Sequence, residues 1–180
     1  MRLLFVCTGN TCRSPMAGAL ARRAAGELGW DELEISSAGL SAMAGERASK
    51  GARRAMEACC ISLDAHRSRK LTPEIIAQAD LILTMTQAHA AAVKRIAPGA
   101  RVYALHDYVG ETGDVPDPYG APEAVYLQCA RRLQPRIVRA LERLWREERG
   151  VRPAKPSALT RDAAREQAGA AEVSPEEGAP

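Results

Sequence analysis

Residues 3–17, LLFVCTGNTCRSPMA, carry a strand, a turn and the start of a helix in immediate succession. Leu3-Leu4-Phe5-Val6 is an unbroken apolar run of strand length, the pattern of a parallel strand buried on both faces. The chain then turns between Cys7 and Arg13, with Gly9 free to turn tightly and Asn10 tolerant of left-handed dihedrals. Ser14-Pro15 reads as an N-cap followed by the first helical residue, and Ala17–Leu28 continues as a helix ended by Gly29.

The same alternation repeats downstream. Leu33–Ser37 reads as a second strand closed by Ala38-Gly39, and Ser49–Cys60 as a helix with apolar spacing at Ala52, Ala55, Met56 and Cys59. Thr72-Pro73-Glu74 opens another short helix by the same cap logic. Asp80–Leu83 is a third strand, Thr86–Ile96 a helix stopped by Pro98-Gly99, and Val102–Leu105 a fourth strand. A loop over Asp107–Ala121 leads to a long helix that Pro122 starts and Gly150 ends. Pro135 lies inside it without a backbone donor, so a kink or break is expected there. Strands alternating with helices imply right-handed crossovers and a parallel sheet. The expected fold is α/β, a flavodoxin-like doubly wound sheet of four parallel strands with helices on both faces. Its site belongs at the carboxyl ends of the strands, at the switch point beside the first strand.

At 180 residues the chain suits one domain with a proper core. The texture changes at Val151: residues 151–180 hold four of the 11 prolines, no aromatic residue and only Val151, Leu159 and Val173 as larger aliphatics. Such a segment cannot offset its ordering entropy, so the expected division is a domain over 1–150 and a disordered tail over 151–180. The formal net charge of +3 is too mild to argue for nucleic acid or a membrane surface. No stretch approaches the roughly 18 apolar residues of a membrane-spanning helix, and the apolar start is too short for a signal-peptide core. The five cysteines, Cys7, Cys12, Cys59, Cys60 and Cys129, form no disulfide framework, and His66, His89 and His106 are too scattered for a zinc site. A soluble, cytoplasmic protein, expected to be a monomer and needing no metal or cofactor, is the consequent reading.

A cysteine six positions before an arginine means little in so arginine-rich a chain. Its placement means more, because it joins a strand end to a helix start. That junction collects backbone N–H groups and the positive helix end at one point, a ready anion site. A thiol there, beside Arg13, is favoured as the thiolate. Arg13 can grip two phosphate oxygens at once. Cys7 is thus placed as a nucleophile and Thr8, Gly9, Asn10 and Thr11 as its cradle. The nucleotide loop GxxxxGK[ST] is absent, so ATP is not implied. Cys12 reads two ways: as a partner for a reversible disulfide with Cys7, or as a small core-facing thiol. Cys59, Cys60 and Cys129 read as core fillers on helices. The arginines Arg131, Arg132, Arg136, Arg139, Arg143, Arg146 and Arg149 read as a solvated helix face interspersed with Glu142, Glu147 and Glu148.

The run CTGNTCRSPMA resembles the signature of the low-molecular-weight protein tyrosine phosphatases. The likeness extends over about residues 1–148, through Ser37-Ala38-Gly39, the stretch from His66 to Thr72, Ala79-Asp80-Leu81 and Asp117-Pro118-Tyr119-Gly120. The resemblance implies a two-step transfer in which Cys7 attacks phosphorus and water hydrolyses the cysteinyl-phosphate. Arg13 would bind the phosphoryl oxygens. Asp117 would protonate the leaving group and then activate water, with Asp114 as the nearest rival carboxylate. Asn10, Ser14, Ser37 and His66 match the hydrogen bonds that hold the loop in that family.

Tyrosine-specific members usually carry a bulky aliphatic where this chain has Thr11. Tyr119 is the one evident pocket aromatic, and the facing stretch from Ser41 to Ser49 has none. The loop therefore resembles that of the bacterial protein arginine phosphatases, and a polar Thr11 with the Asp117 carboxylate suits a guanidinium. Phosphorylated proteins are the implied substrates, with phosphoarginine ahead of phosphotyrosine. Arsenate reductase is disfavoured because the segment from Ala79 to His89 has no cysteine. A non-catalytic phosphoprotein-binding module is disfavoured because Cys7 and Asp117 are both present.

Overall fold

The computed structural model describes residues 1–150; the expected tail over 151–180 lies outside the described residues. Four strands, β1 (Arg2–Cys7), β2 (Glu34–Gly39), β3 (Leu81–Thr84) and β4 (Val102–Ala104), form one parallel sheet in the order β2-β1-β3-β4. Six helices connect them: α1 (Arg13–Glu27), α2 (Lys50–Glu57), α3 (Pro73–Ala77), α4 (Gln87–Ile96), α5 (Leu105–Tyr108) and α6 (Glu123–Arg149). The expected doubly wound α/β architecture is the one observed.

Strand alternation explains the layers. Leu3 and Phe5 of β1, with Leu81 and Leu83 of β3, face a core built with Leu20 of α1, Met56 of α2 and Leu133 and Leu141 of α6. Leu4, Val6, Ile82 and Val102 face the other way, onto Ile76 of α3 and Ala90 and Val93 of α4. Both sheet faces are thereby withdrawn from water, worth roughly 1.5–3 kcal/mol for each large aliphatic buried. The chain leaves β1 toward β2 on one side and returns to β3 on the other, so the crevice after β1 opens at the point where the strand order reverses.

Several local expectations are corrected. Ser14 does not cap α1: the helix begins at Arg13, its N-cap is Cys12 with no side-chain capping bond, and the Ser14 hydroxyl serves the loop instead. Helix α6 runs unbroken through Pro135, because its buried stripe of Leu133, Ile137, Val138 and Leu141 packs on the core and compensates for one lost backbone donor. Cys59 and Cys60 lie just beyond α2, and Cys60 is exposed with φ of 56°, so it is no core filler; Cys129 on α6 is one. The short helix α5 falls in a stretch that the sequence assigns partly to strand and partly to loop. Several α6 arginines also do more than face water: Arg136 and Arg139 bind Glu111, Arg143 donates to the Tyr108 carbonyl, and Arg149 pairs with Glu32.

Gly39, the last residue of β2, lies directly under the turn after β1. A Cβ there would sit 2.6 Å from the Thr8 carbonyl oxygen and 2.8 Å from the Asn10 nitrogen, both backbone atoms that cannot swing aside. Gly39→Ala is expected to destabilise by about 1–3 kcal/mol and to distort the Cys7 turn. Gly26→Ala, with nothing within 4 Å of its new methyl, is expected to stabilise by up to about 1 kcal/mol. Paired denaturant melts check both; equal effects of the two substitutions would contradict the packing argument.

Candidate active site

Three segments converge at the carboxyl end of β1: the turn from Cys7 to Ser14, the end of β2, and residues 66–70. Backbone bonds from Leu40 N to Cys7 O (3.0 Å) and from Ser41 N to Thr8 O (2.9 Å) zip the β2 extension to the turn. Gly39 N donates to Arg69 O and Leu71 N to Gly39 O, which adds the third segment.

Asn10 ties all three together. It is fully buried in a left-handed conformation with φ of 54°, which asparagine accepts more readily than most residues. Its amide nitrogen donates to Ser14 Oγ and Ser37 Oγ, each at 2.9 Å. Its side-chain oxygen accepts from Arg69 N at 3.0 Å, and its carbonyl accepts from His66 Nε2 at 2.7 Å. Its own backbone N–H points at Cys7 Sγ, 3.3 Å away. Every hydrogen-bonding group of this buried residue is used, which fixes the turn in one shape.

Cys7 is 2 % exposed, and its sulfur also lies 3.0 Å from Ser14 Oγ. Because Asn10 donates to that same hydroxyl, the Ser14 proton is left for the sulfur or for the Ala38 carbonyl at 3.4 Å. Arg13 is buried as the first residue of α1. Its guanidinium donates to Val115 O at 3.2 Å and pairs with the half-exposed Asp117, while its buried Nε has no partner among the described residues. Asp117 accepts further from Tyr119 N at 3.2 Å. A cavity of about 350 Å³ opens above the sulfur. Its floor is the Cys7–Arg13 turn, and its walls are Ser41, Met43, Glu46, Asp117 and Tyr119.

Of the residues expected at the site, Cys7, Thr8, Gly9, Thr11, Cys12, Arg13, Asp117 and Tyr119 line this cavity, and Asn10, Ser14, Ser37 and His66 support it from behind. Asp114 is turned away, accepting from Gln87 N at 2.9 Å. Cys12 holds a thiol contact to Ser49 Oγ at 3.2 Å, and no disulfide joins it to Cys7. Cys129 lies within electrostatic reach of Arg13 and Asp117, yet burial pushes its thiol up to about 12, which makes it inert beside Cys7. Among the described residues no cluster of His, Cys, Asp and Glu could hold a metal ion.

Sequence reasoning missed His89. Its Nε2 shares a 2.9 Å hydrogen bond with Thr8 Oγ1, while its buried Nδ1 has no partner among the described residues. It stands in the first turn of α4, after Thr86, whose side chain caps that helix. The one available clue is topological: the loop after β3 must face the same crevice as the loop after β1. Glu46 and Met43 were equally silent, since only the folded turn aims them at the cavity.

His66 and His89 both titrate below the ordinary histidine value of 6.5. Burial is the chief cause in each, aided by Arg22, Arg67 and Arg69 around His66 and by Arg13 near His89. The Asn10 hydrogen bond, and Asp117 with Asp114, oppose the shift in part. A histidine that binds its proton more weakly when folded favours unfolding once the unfolded chain can protonate. Stability is therefore expected to be full above about pH 7 and to fall as pH drops below about 6.5. Urea titrations across that range check this, with His89→Gln flattening part of the slope; stability rising on acidification would contradict it.

Comparison with known proteins fits this geometry. Residues 2–150 match the family model described as low molecular weight phosphotyrosine protein phosphatase. A protein-arginine-phosphatase of Geobacillus stearothermophilus is 39% identical over 150 residues, covering 82% of this chain and 98% of that protein. The low molecular weight protein-tyrosine-phosphatase Ptp of Acinetobacter johnsonii is 35% identical, over 73% of this chain and 89% of its own. Among solved structures, a cysteine-to-serine mutant of the arginine phosphatase YwlE, phosphorylated on that active-site serine, superposes with a TM-score of 0.77 at 35% identity, over 83% of this chain and 99% of that one. The chain belongs to the low-molecular-weight protein tyrosine phosphatase family.

Proposed function

We propose that this protein hydrolyses phosphorylated protein side chains through a cysteinyl-phosphate on Cys7, and that phosphoarginine is the favoured substrate. The observation that carries the reading is the Cys7 sulfur held between the Asn10 N–H and the Ser14 hydroxyl, with Arg13 and Asp117 at the cavity wall. Donors around the sulfur stabilise the thiolate, and donors around an incoming phosphoryl group stabilise the charge of its transition state.

In the first step Cys7 Sγ forms a bond to phosphorus as the bond from phosphorus to the side-chain nitrogen breaks. Asp117 gives its proton to that nitrogen, so the arginine leaves as its ordinary guanidinium rather than as an unprotonated, strongly basic guanidine. Before substrate arrives Arg13 pairs with Asp117. A phosphoryl group competes for Arg13, whose buried Nε is already unpartnered, and the carboxyl then faces negative charge, which favours its protonated form. In the second step water attacks phosphorus, Asp117 takes the water's proton, and the S–P bond breaks to return the thiolate and release phosphate.

Thr11 on the cavity floor and the absence of an aromatic residue between Ser41 and Ser49 support arginine, as do relatives named protein-arginine-phosphatase. Phosphotyrosine is the second reading, favoured by the exposed Tyr119 ring at the mouth and by relatives named tyrosine phosphatases. We further infer a monomer working on phosphoproteins in the cytoplasm; the mild net charge and five cysteines without a disulfide support that setting. Among the described residues no helix is long and apolar enough to cross a membrane.

The test is a paired assay on one peptide carrying phosphoarginine or phosphotyrosine. Catalytic efficiency is expected to be higher on phosphoarginine. Cys7→Ser should abolish turnover, and Asp117→Asn should lower kcat by about 10²–10⁴-fold. Thr11→Ile should shift the ratio toward phosphotyrosine. Higher efficiency on phosphotyrosine, with a ratio that Thr11→Ile leaves unmoved, would sink the arginine assignment. Undiminished turnover by Cys7→Ser would sink the mechanism.

A further inference from the structure

Part of the cavity wall is made by the turn from Met43 to Glu46, and the fold holds that turn firmly. Ser68 is 3 % exposed and binds it at four points. Ser68 N donates to Glu46 O at 2.8 Å, Glu46 N donates to Ser68 Oγ at 2.9 Å, and Gly45 N donates to Ser68 O at 2.8 Å. The Ser68 hydroxyl completes the clamp by donating to Met43 O. Gly45, with φ of 87°, supplies the left-handed bend that lets Met43 and Glu46 both line the cavity. The clamp sits two residues from His66 and one from Arg69, the residues that hold Asn10, so wall and phosphate turn share one support.

The cavity lining is chemically two-sided. Met43 and Tyr119 present exposed apolar surface, 71% and 77% accessible, while Glu46 presents a carboxylate. Asp117 is the other acid in the lining, and Arg13 already pairs with it. Glu46 has no cation among the described residues, although Arg47 and Arg53 nearby are both engaged by Asp64. An arginine side chain has the matching anatomy: a methylene stem that lies on apolar surface and a planar cation that seeks a carboxylate or an aromatic face. A phosphotyrosine ring has no charge for Glu46 and would crowd a carboxylate against apolar carbon, which costs desolvation.

We propose that Glu46 is a specificity-determining residue, its carboxylate selecting the guanidinium of phosphoarginine over the neutral ring of phosphotyrosine. The proposal rests on the reading of the protein as an arginine phosphatase and names the charge that does the selecting. Attraction of one substrate and an unfavourable contact with the other both widen the gap.

The experiment uses the full chain and one peptide with neutral flanking residues, carrying either phosphoarginine or phosphotyrosine. Glu46→Gln should lower the ratio of kcat/KM values, arginine over tyrosine, by about 3- to 10-fold, as for a partly exposed charge-assisted contact. The loss should fall mainly in KM for the phosphoarginine peptide. Glu46→Lys should lower the ratio further, and added salt should erode the wild-type ratio more than that of Glu46→Gln. Melting temperatures of the variants separate misfolding from lost selection, and Glu46→Asp, which keeps the charge, should retain most of the ratio. An unchanged ratio in both Glu46→Gln and Glu46→Lys, or an equal loss in Glu46→Asp, overturns the proposal. A wild-type protein that turns over phosphotyrosine and leaves phosphoarginine intact overturns the arginine reading, and this proposal with it. Active wild type on phosphoarginine with an insensitive Glu46 overturns this proposal alone.

Discussion

The site depends on one buried amide. Asn10 has two side-chain N–H donors, one side-chain acceptor, a backbone N–H and a carbonyl, and each meets a different neighbour: Ser14, Ser37, Arg69, Cys7 and His66. Aspartate would lose the two donors, and alanine would leave the fully buried Ser14 without its donor, at about 1–3 kcal/mol if that group stays unsatisfied, and would release half-buried Ser37 and the Arg69 backbone. The left-handed backbone at Asn10 is what turns its own N–H toward the sulfur. The sheet contributes the platform: Gly39 leaves room for the turn because it has no Cβ.

Two kinds of thiol in one chain show what this environment does. Cys129 is buried on α6, where no hydrogen bond among the described residues eases its thiol, and burial holds its proton tightly. Cys7 is equally hidden from water, yet its sulfur lies within hydrogen-bond reach of an amide N–H and a hydroxyl, and Arg13 lines the same cavity. Burial alone makes a thiol inert; on the proposed mechanism the donors around the Cys7 sulfur ready it for attack. The Arg13–Asp117 pair adds a switchable element. On the proposed mechanism, a phosphoryl group claims the cation that holds half-exposed Asp117, which would couple binding to proton supply.

The fold was legible because its strands are short apolar runs between strong breakers: Leu3–Val6 before Gly9, and Leu81–Leu83 before the Thr86 cap. Much of the site was legible because Cys7 to Ser14 is contiguous and sits at a strand-to-helix junction. Local signals misled where a distant partner had a stronger claim. Ser14-Pro15 looks like a cap, but the Ser14 hydroxyl is taken by Cys7 and Asn10. Pro135 looks like a break, but a buried stripe holds α6 together. A single helical turn at α5 forms because Tyr108 packs against α6 and bonds Glu147, a contact no local pattern announces. His89 and Glu46 reach the cavity only through the crossovers; His89 lies 81 positions from Thr8.

The central claim is that Asn10 shapes the turn that makes Cys7 the phosphoryl acceptor. Rapid acid quench during turnover of p-nitrophenyl phosphate, followed by mass spectrometry of the Cys7 peptide, measures it directly in wild type and Asn10→Ala. The account predicts a phosphoryl group on Cys7 in wild type, formed at least about tenfold more slowly in an Asn10→Ala protein that still melts as a folded domain. Phosphoryl transfer to Cys7 at an unchanged rate in Asn10→Ala, or wild-type turnover with no phosphoryl group ever on Cys7, would contradict it.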